Sequence, residues 1–310
     1  MKQHNLNASR PHHGWDYSIE PQLEIDSGDT VVIECQEGNG GQMTSSSKVE
    51  DLQNFDMSKL HTLTGPIFVR NALPGDTLEV AVQSMAHQGW GYTVITEGVG
   101  LLADEFTRPY LHHWRLENNT CIFKHNSGIL VPYEPFCGIM GVAPSEKGYF
   151  NTLPPRSNGG NFDVRSWGVG SAVWFPVCVP GGLFSVGDCH AAQGEGEVCG
   201  TAIECPMTVS LRFTLRKDMK IVEPRAKTGG PLRKADQAGY YVTSEHGPDL
   251  LEDARIALRY MLDYLQTQAD ITREEAYVLA SAVVDLHISQ IVNVGNYVVS
   301  AYLPLSIFHH

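Results

Sequence analysis

In the first third of the chain, apolar and polar residues alternate in short runs broken by glycine-containing turns. Residues 20–36, EPQLEIDSGDTVVIECQ, alternate around Ser27-Gly28-Asp29. Residues 66–84, PIFVRNALPGDTLEVAVQS, repeat the plan around Pro74-Gly75-Asp76. Period-two alternation flanking turn residues predicts strands joined as two hairpins. The Asp that follows each turn glycine reads as turn chemistry. From about 90 to 215, short runs rich in Gly, Val, Phe and Trp predict further β-structure with functional loops between strands. The pattern changes near Gly247. Between Pro248 and Gln268, Ala254, Leu258, Met261 and Leu265 fall at helical spacing. Thr272 and Glu275 then form a capping box that opens a second helix to about Leu286, and strands follow within Ile288 to Leu303. The uncharged stretch Ser166–Gly187 is long enough to span a bilayer, but Pro176, Pro180 and its glycines interrupt it, so it predicts buried strand, turn, strand. These elements predict a mainly β (α+β) chain. Residues 1–215 form a β region carrying the candidate site; residues 216–310 form a two-helix segment with closing strands, packed on the first region as one unit.

Composition narrows the partners. Across 310 residues, 22 Lys and Arg against 35 Asp and Glu give a formal net charge of −13, which argues against nucleic acid or an anionic membrane. The basic stretch Arg212–Lys234 reads as a solvated hairpin. Seven cysteines, an odd number without a C-x-x-C pair, fit a reduced, cytoplasmic compartment. The N-terminus, MKQHNLNASRPHHGW, has no signal-peptide pattern.

The densest polar constellation is Asp188-Cys189-His190-Ala191-Ala192-Gln193-Gly194-Glu195-Gly196-Glu197, framed by apolar runs. On an extended strand, residues two apart share a face, so Asp188 and His190 can share a divalent metal or act as base and orienter. Gly194 and Gly196 permit a turn that returns Glu195 or Glu197 to that face. Three weaker sites accompany it: His61 before Leu63-Thr64-Gly65-Pro66, Glu97 in Thr96-Glu97-Gly98, and Asn158-Gly159-Gly160-Asn161-Phe162-Asp163. The last can offer backbone N–H groups and Asn amides, or be a tight turn with Asx hydrogen bonds. Cys189 or Cys199 as a nucleophile would make a metal-free amidase, although the nearest downstream lysine is Lys217. Ser45-Ser46-Ser47-Lys48 reads as a flexible linker.

The order of these motifs is more informative than any one of them. HTLTGPIFVRNALPGDTLEV at His61–Val80, NGGNFD at Asn158–Asp163, GDCHAAQGEGEVCGTAIE at Gly187–Glu204 and EEAYVLASAVVDLHISQIV at Glu274–Val292 occur in sequence. From about His13 to Phe308 the chain resembles the acetamidase/formamidase family. That resemblance implies hydrolysis of a short primary amide (formamide or acetamide) to a carboxylate and ammonia by a homo-oligomer in the cytoplasm. It implies a jelly-roll-like sandwich and a divalent metal, zinc first. On this reading His61, Asp188 and His190 hold the metal, and Glu197 shuttles the proton, with Glu97 and Glu195 as substitutes. Asn161 and backbone N–H groups at Gly159 and Gly160 orient the amide. Pocket shape decides between the two amides; Trp90, Trp167, Trp174 or Phe184 can set it, although such aromatics are by default core residues. The contrasting reading is a jelly-roll that has lost catalysis and binds a small ligand.

Overall fold

The computed structural model describes residues 1–124, 128–229 and 238–309. The end of the basic stretch, residues 230–234, lies outside these. Two sheets form the body of the molecule. The first is ordered β1 (Gln3–Leu6), β4 (Thr30–Cys35), β16 (Met207–Arg216), β6 (Thr77–His87), β14 (Ala172–Pro176), β17 (Arg225–Lys227). The second is ordered β13 (Gly159–Asn161), β11 (Phe136–Gly141), β15 (Phe184–His190), β5 (Leu63–Val69), β3 (Leu23–Ile25). Alternation decides what each strand buries: Val31, Ile33 and Cys35 of β4 and Val209, Leu211 and Phe213 of β16 point inward. Phe184 of β15 meets Phe213 edge-to-face at 5.1 Å, so the two sheets share one aromatic core.

A four-stranded meander, β7 (Trp90–Ile95), β8 (Tyr110–Glu117), β9 (Thr120–Ile122) and β10 (Leu130–Pro132), flanks this body, and β2 (Gly14–Trp15) pairs with β12 (Phe150–Asn151). The C-terminal part adds β18 (Tyr240–Gly247), α1 (Leu250–Gln268), α2 (Arg273–Val283), β19 (Asp285–Gln290) and β20 (Tyr297–Pro304). Ala254, Leu258, Met261 and Leu265 are the buried stripe of α1, as their spacing predicts. The capping box at α2 is present in both directions, Thr272 Oγ1 accepting from Glu275 N and Glu275 Oε2 accepting from Thr272 N. The helix stops at Val283, three residues short of the expected end, because Asp285 already enters β19. The Ser166–Gly187 run is strand, turn and strand, in β14 and the start of β15. No helix among the described residues is long and apolar enough to cross a membrane.

The two Gly-Asp turns are not hairpins. β3 pairs with β5, whereas β4 pairs with β1 and β16; β5 pairs with β15 and β3, whereas β6 pairs with β16 and β14. Each turn therefore carries the chain from one sheet to the other. Both have the same build: a left-handed glycine (Gly28, φ 97; Gly75, φ 92) and an Asp whose carboxylate accepts the N–H three residues back, Asp26 or Leu73. The basic stretch is likewise not a hairpin. β16 and β17 sit in the same sheet but pair with different neighbours, and Arg216 and Lys217 are ion-paired with Glu79, Asp218 and Asp76.

Asp29 also accepts from Lys2 N and from His4, and these bonds hold its carboxyl at about 2, below the usual range. A depressed carboxylate contributes stability above its unfolded pKa and loses it as pH falls through the folded value. Asp29→Asn is therefore expected to lower stability at pH 7 by on the order of 1–2 kcal/mol. In thermal melts, the gap to the unsubstituted chain narrows as pH is lowered from 4 towards 2. A pH-independent gap would refute the assignment.

Candidate active site

β15 is buried along its whole length, as is its neighbour β11. Phe184, Val186 and Cys189 belong to the main apolar core, so the side alternation breaks once between Val186 and Cys189. The break is at Asp188, whose φ is 52. This single left-handed residue turns Cys189 towards Cys137 in the core (Sγ–Sγ 3.9 Å) and leaves Asp188 and His190 together, Oδ2 to Nε2 3.6 Å. Their proximity was expected from an extended strand; the structure achieves it with a kinked one.

Glu204 completes the group. It bridges Tyr92 of β7 on one side and His190 on the other, and its Oε2 lies 3.2 Å from His190 Nε2. The ligating atoms of Asp188, His190 and Glu204 lie within 4.8 Å of one another, and so do those of Asp163, His190 and Glu197. His190 Nε2, Glu204 Oε2 and Asp163 Oδ1 are buried without a hydrogen bond. The other ring nitrogen of His190 is fixed: Nδ1 is 2.9 Å from Gln193 Oε1, while Gln193 Nε2 donates to Asp163 O at 2.9 Å. Because the Asp163 carbonyl can only accept, the Gln193 amide must present its oxygen to His190, which keeps a proton on Nδ1 and leaves Nε2 as the ring nitrogen that faces the carboxylates.

Four carboxylates, Asp188 and Glu204 buried and Asp163 and Glu197 half-buried, against two imidazoles leave excess negative charge. Burial pushes Asp163 up to about 7, with His190 opposing and Asp188 and Glu204 adding to the rise. Burial and the Asp163 charge push Glu197 well above the usual carboxyl range, and burial also raises Glu204. Burial acts against Asp188 too, but His61 and His190 beside it outweigh this and hold it low. Burial lowers His190, yet Glu204 and Asp188 more than compensate. Such a cluster is stable only with protons or a cation in it.

The donor set fits a divalent cation: imidazole nitrogen and carboxylate oxygens, three of them without a hydrogen bond. Glycines keep the space open. A Cβ at Gly38 would fall 2.5 Å from Asp188 Oδ1, with His61 Cδ2 at 3.8 Å; one at Gly138 would fall 2.6 Å from Asp163 Oδ1 and 2.8 Å from His190 Cε1. His61 is anchored from behind, its N–H donating to Thr152 Oγ1 at 2.8 Å and its Nδ1 3.1 Å from the same atom.

The cluster opens into a cavity of about 610 Å³ lined by His61, Asp163, Asp188, Glu197 and Glu204. Asn161 lines it as well: Nδ2 donates to Leu153 O, and Oδ1 is a buried acceptor without a partner. Glu97 sits exposed at its wall.

Other candidates lie elsewhere. Glu195 is half-exposed, with Arg165 Nε 3.4 Å away, on the far side of the Gly196 turn. The Gly159 N–H is taken by Arg156 O, and neither Gly159 nor Gly160 lines the cavity. A Cβ at Gly159 would meet Met140 O at 2.5 Å, so close strand packing explains this glycine. Cys189 and Cys199 are fully buried off the cavity. Cys137, Cys35 and burial raise the Cys189 thiol, and burial pushes Cys199 up to about 11, so neither is set up as a nucleophile. Trp90, Trp167, Trp174 and Phe184 do not line the cavity; Trp167 and Phe184 are in the core. Sequence reading missed Asp163 and Glu204. The only signal for Glu204 was a carboxylate inside the apolar run after Val198; for Asp163, its place closing the Asn-Gly-Gly-Asn-Phe-Asp segment.

The chain is similar to several known proteins. A formamidase from Methylophilus methylotrophus is 25% identical, aligned over 96% of this chain and 89% of its own length. The solved structure of an acetamidase from Bacillus halodurans is 28% identical, with a TM-score of 0.70 and 98% of each chain covered. A gamma lactamase from Delftia acidovorans, 23% identical, shares the fold at a TM-score of 0.91, covering 99% of this chain and 93% of that one. The model of the acetamidase/formamidase family matches residues 1–149 and 146–310, a span that contains every histidine and carboxylate of the cluster. On that match, the chain belongs to the acetamidase/formamidase family.

Proposed function

We propose that this chain is an amidohydrolase that cleaves short primary carboxamides, formamide and acetamide among them, to the carboxylate and ammonia with a divalent metal ion, zinc first, as cofactor. The family and the formamidase and acetamidase relatives support amide C–N hydrolysis. The observation that carries the metal is the convergence of His190 Nε2, Glu204 Oε2 and Asp163 Oδ1, each without a hydrogen bond, in one over-acidic cluster. His61, Asp188 and His190 would hold the ion, with Glu204 beside them. When bound, a divalent ion lowers the pKa of its water to about 7 and polarises a carbonyl.

The remaining work falls to the chain. Glu197, which lines the cavity beside Asp163 and His190, acts as its carboxylate: it takes the proton from the attacking water and passes it to the departing nitrogen, so that one O–H and the C–N bond break while C–O and N–H bonds form. Asn161 Oδ1 accepts an N–H of the substrate amide and sets its plane. Glu97, at the wall, is the substitute for the proton shuttle; Glu195, paired with Arg165, is the weaker one. The active form is a homo-oligomer in the cytoplasm.

Ammonia release from formamide and acetamide is expected to fall by more than 90% after dialysis against a chelator and to return with Zn²⁺. Chelator resistance combined with inactivation by a thiol reagent would overturn the metal reading. Ammonia release absent from every amide offered would overturn the amide reading.

A further inference from the structure

We propose that the preferred substrate is a primary carboxamide whose carbonyl carries an apolar chain or ring of about five to seven heavy atoms, rather than a hydrogen or a methyl. This rests on the amide-hydrolase reading and names the substrate class of that same site. Acetamide has four heavy atoms and needs on the order of 100 Å³, taking about 30 Å³ for a water-sized group. The cavity offers about 610 Å³, within the range of pockets that enclose much larger ligands.

The acids Asp163, Asp188, Glu197 and Glu204, with His61, mark the end that takes the carboxamide, while Asn39, Gln53, Thr96, Glu97, Asn161 and Thr201 add polar groups to the wall. Much of the remaining wall is apolar and has a separate origin. Leu52, Phe55, Tyr92 and Val94 line the cavity and belong, with Met43, to an apolar cluster distinct from the main core. Met57, Val99 and Leu153 also line it while 64%, 44% and 54% exposed. Exposed apolar side chains grouped around one cavity gain stability when an apolar group fills it. The chain that fills it is the one attached to the carbonyl, because ammonia is the only other fragment of a primary amide.

The test is kcat/KM of the metal-loaded full-length chain on acetamide, butanamide, hexanamide and phenylacetamide. Each buried methylene is worth about fourfold. Hexanamide is expected to exceed acetamide by at least 20-fold, and Val99→Trp, which occupies the apolar part, to bring that ratio below fivefold. A ratio at or below one in the unsubstituted chain, with acetamide cleaved, overturns the proposal and leaves the amide reading standing. Dissociation constants for the same amides with Glu197→Gln give a second measure independent of turnover. Hexanamide binding at least 20-fold tighter than acetamide there supports the apolar site even if no amide is cleaved; equal binding overturns it.

Discussion

Replacing His190 with alanine is expected to leave the purified chain with less than a tenth of a metal ion per protomer and to lower amide turnover by at least a thousandfold. His190 is the only residue common to both three-residue groups of ligating atoms, and its Nε2 faces Asp188 and Glu204 without a hydrogen bond to either. Its removal leaves four buried or half-buried carboxylates with only His61 among the cluster's imidazoles to offset them, so the pocket must take up protons where it would have held a cation. Metal analysis together with circular dichroism separates loss of the ion from loss of the fold. Full metal occupancy in a folded variant would refute the ligand assignment.

Glu197→Gln is expected to reduce turnover by about a hundred- to ten-thousandfold, the usual range for losing a positioned acid–base group. Metal content should stay close to that of the unsubstituted chain. The amide is nearly the same size as the carboxyl it replaces but cannot carry a proton between water and nitrogen. Near-normal turnover would move the role to another carboxylate, and Glu97 at the cavity wall is next in line. Asp163 complicates that succession: its carboxyl sits against the same group at about 7 and can exchange protons with it.

What was readable in the sequence is local. The capping box at Thr272, the helical stripe of α1 and the buried character of Ser166–Gly187 depend on neighbours a few residues away, and each is present. Asp188 and His190 were readable as a pair because two-residue spacing survives even with the kink. What failed depended on pairing partners remote in sequence. A glycine-aspartate turn has the same chemistry whether the chain folds back on its own strand or crosses to another sheet, so the two crossings looked like hairpins. Glu204 joins the cluster through a bridge to Tyr92, and Asp163 through a carbonyl that orients Gln193; neither contact leaves a local pattern. The choice between Glu195 and Glu197 turned on the backbone at Gly196 and Glu197, φ 118 and 43, which composition alone does not fix.

Six non-glycine residues of the described chain have positive φ, and three of them are acids of the cluster: Asp163 at 49, Asp188 at 52 and Glu197 at 43. L-residues hold this conformation at a penalty of roughly 1–2 kcal/mol each, which glycine escapes. On the proposed assignment, the sequence that would fold best and the sequence that works differ at these three positions. Selecting variants for heat resistance alone is expected to drift towards glycine at these places, and if the proposed assignment holds the hardiest survivors of such a screen would be inert.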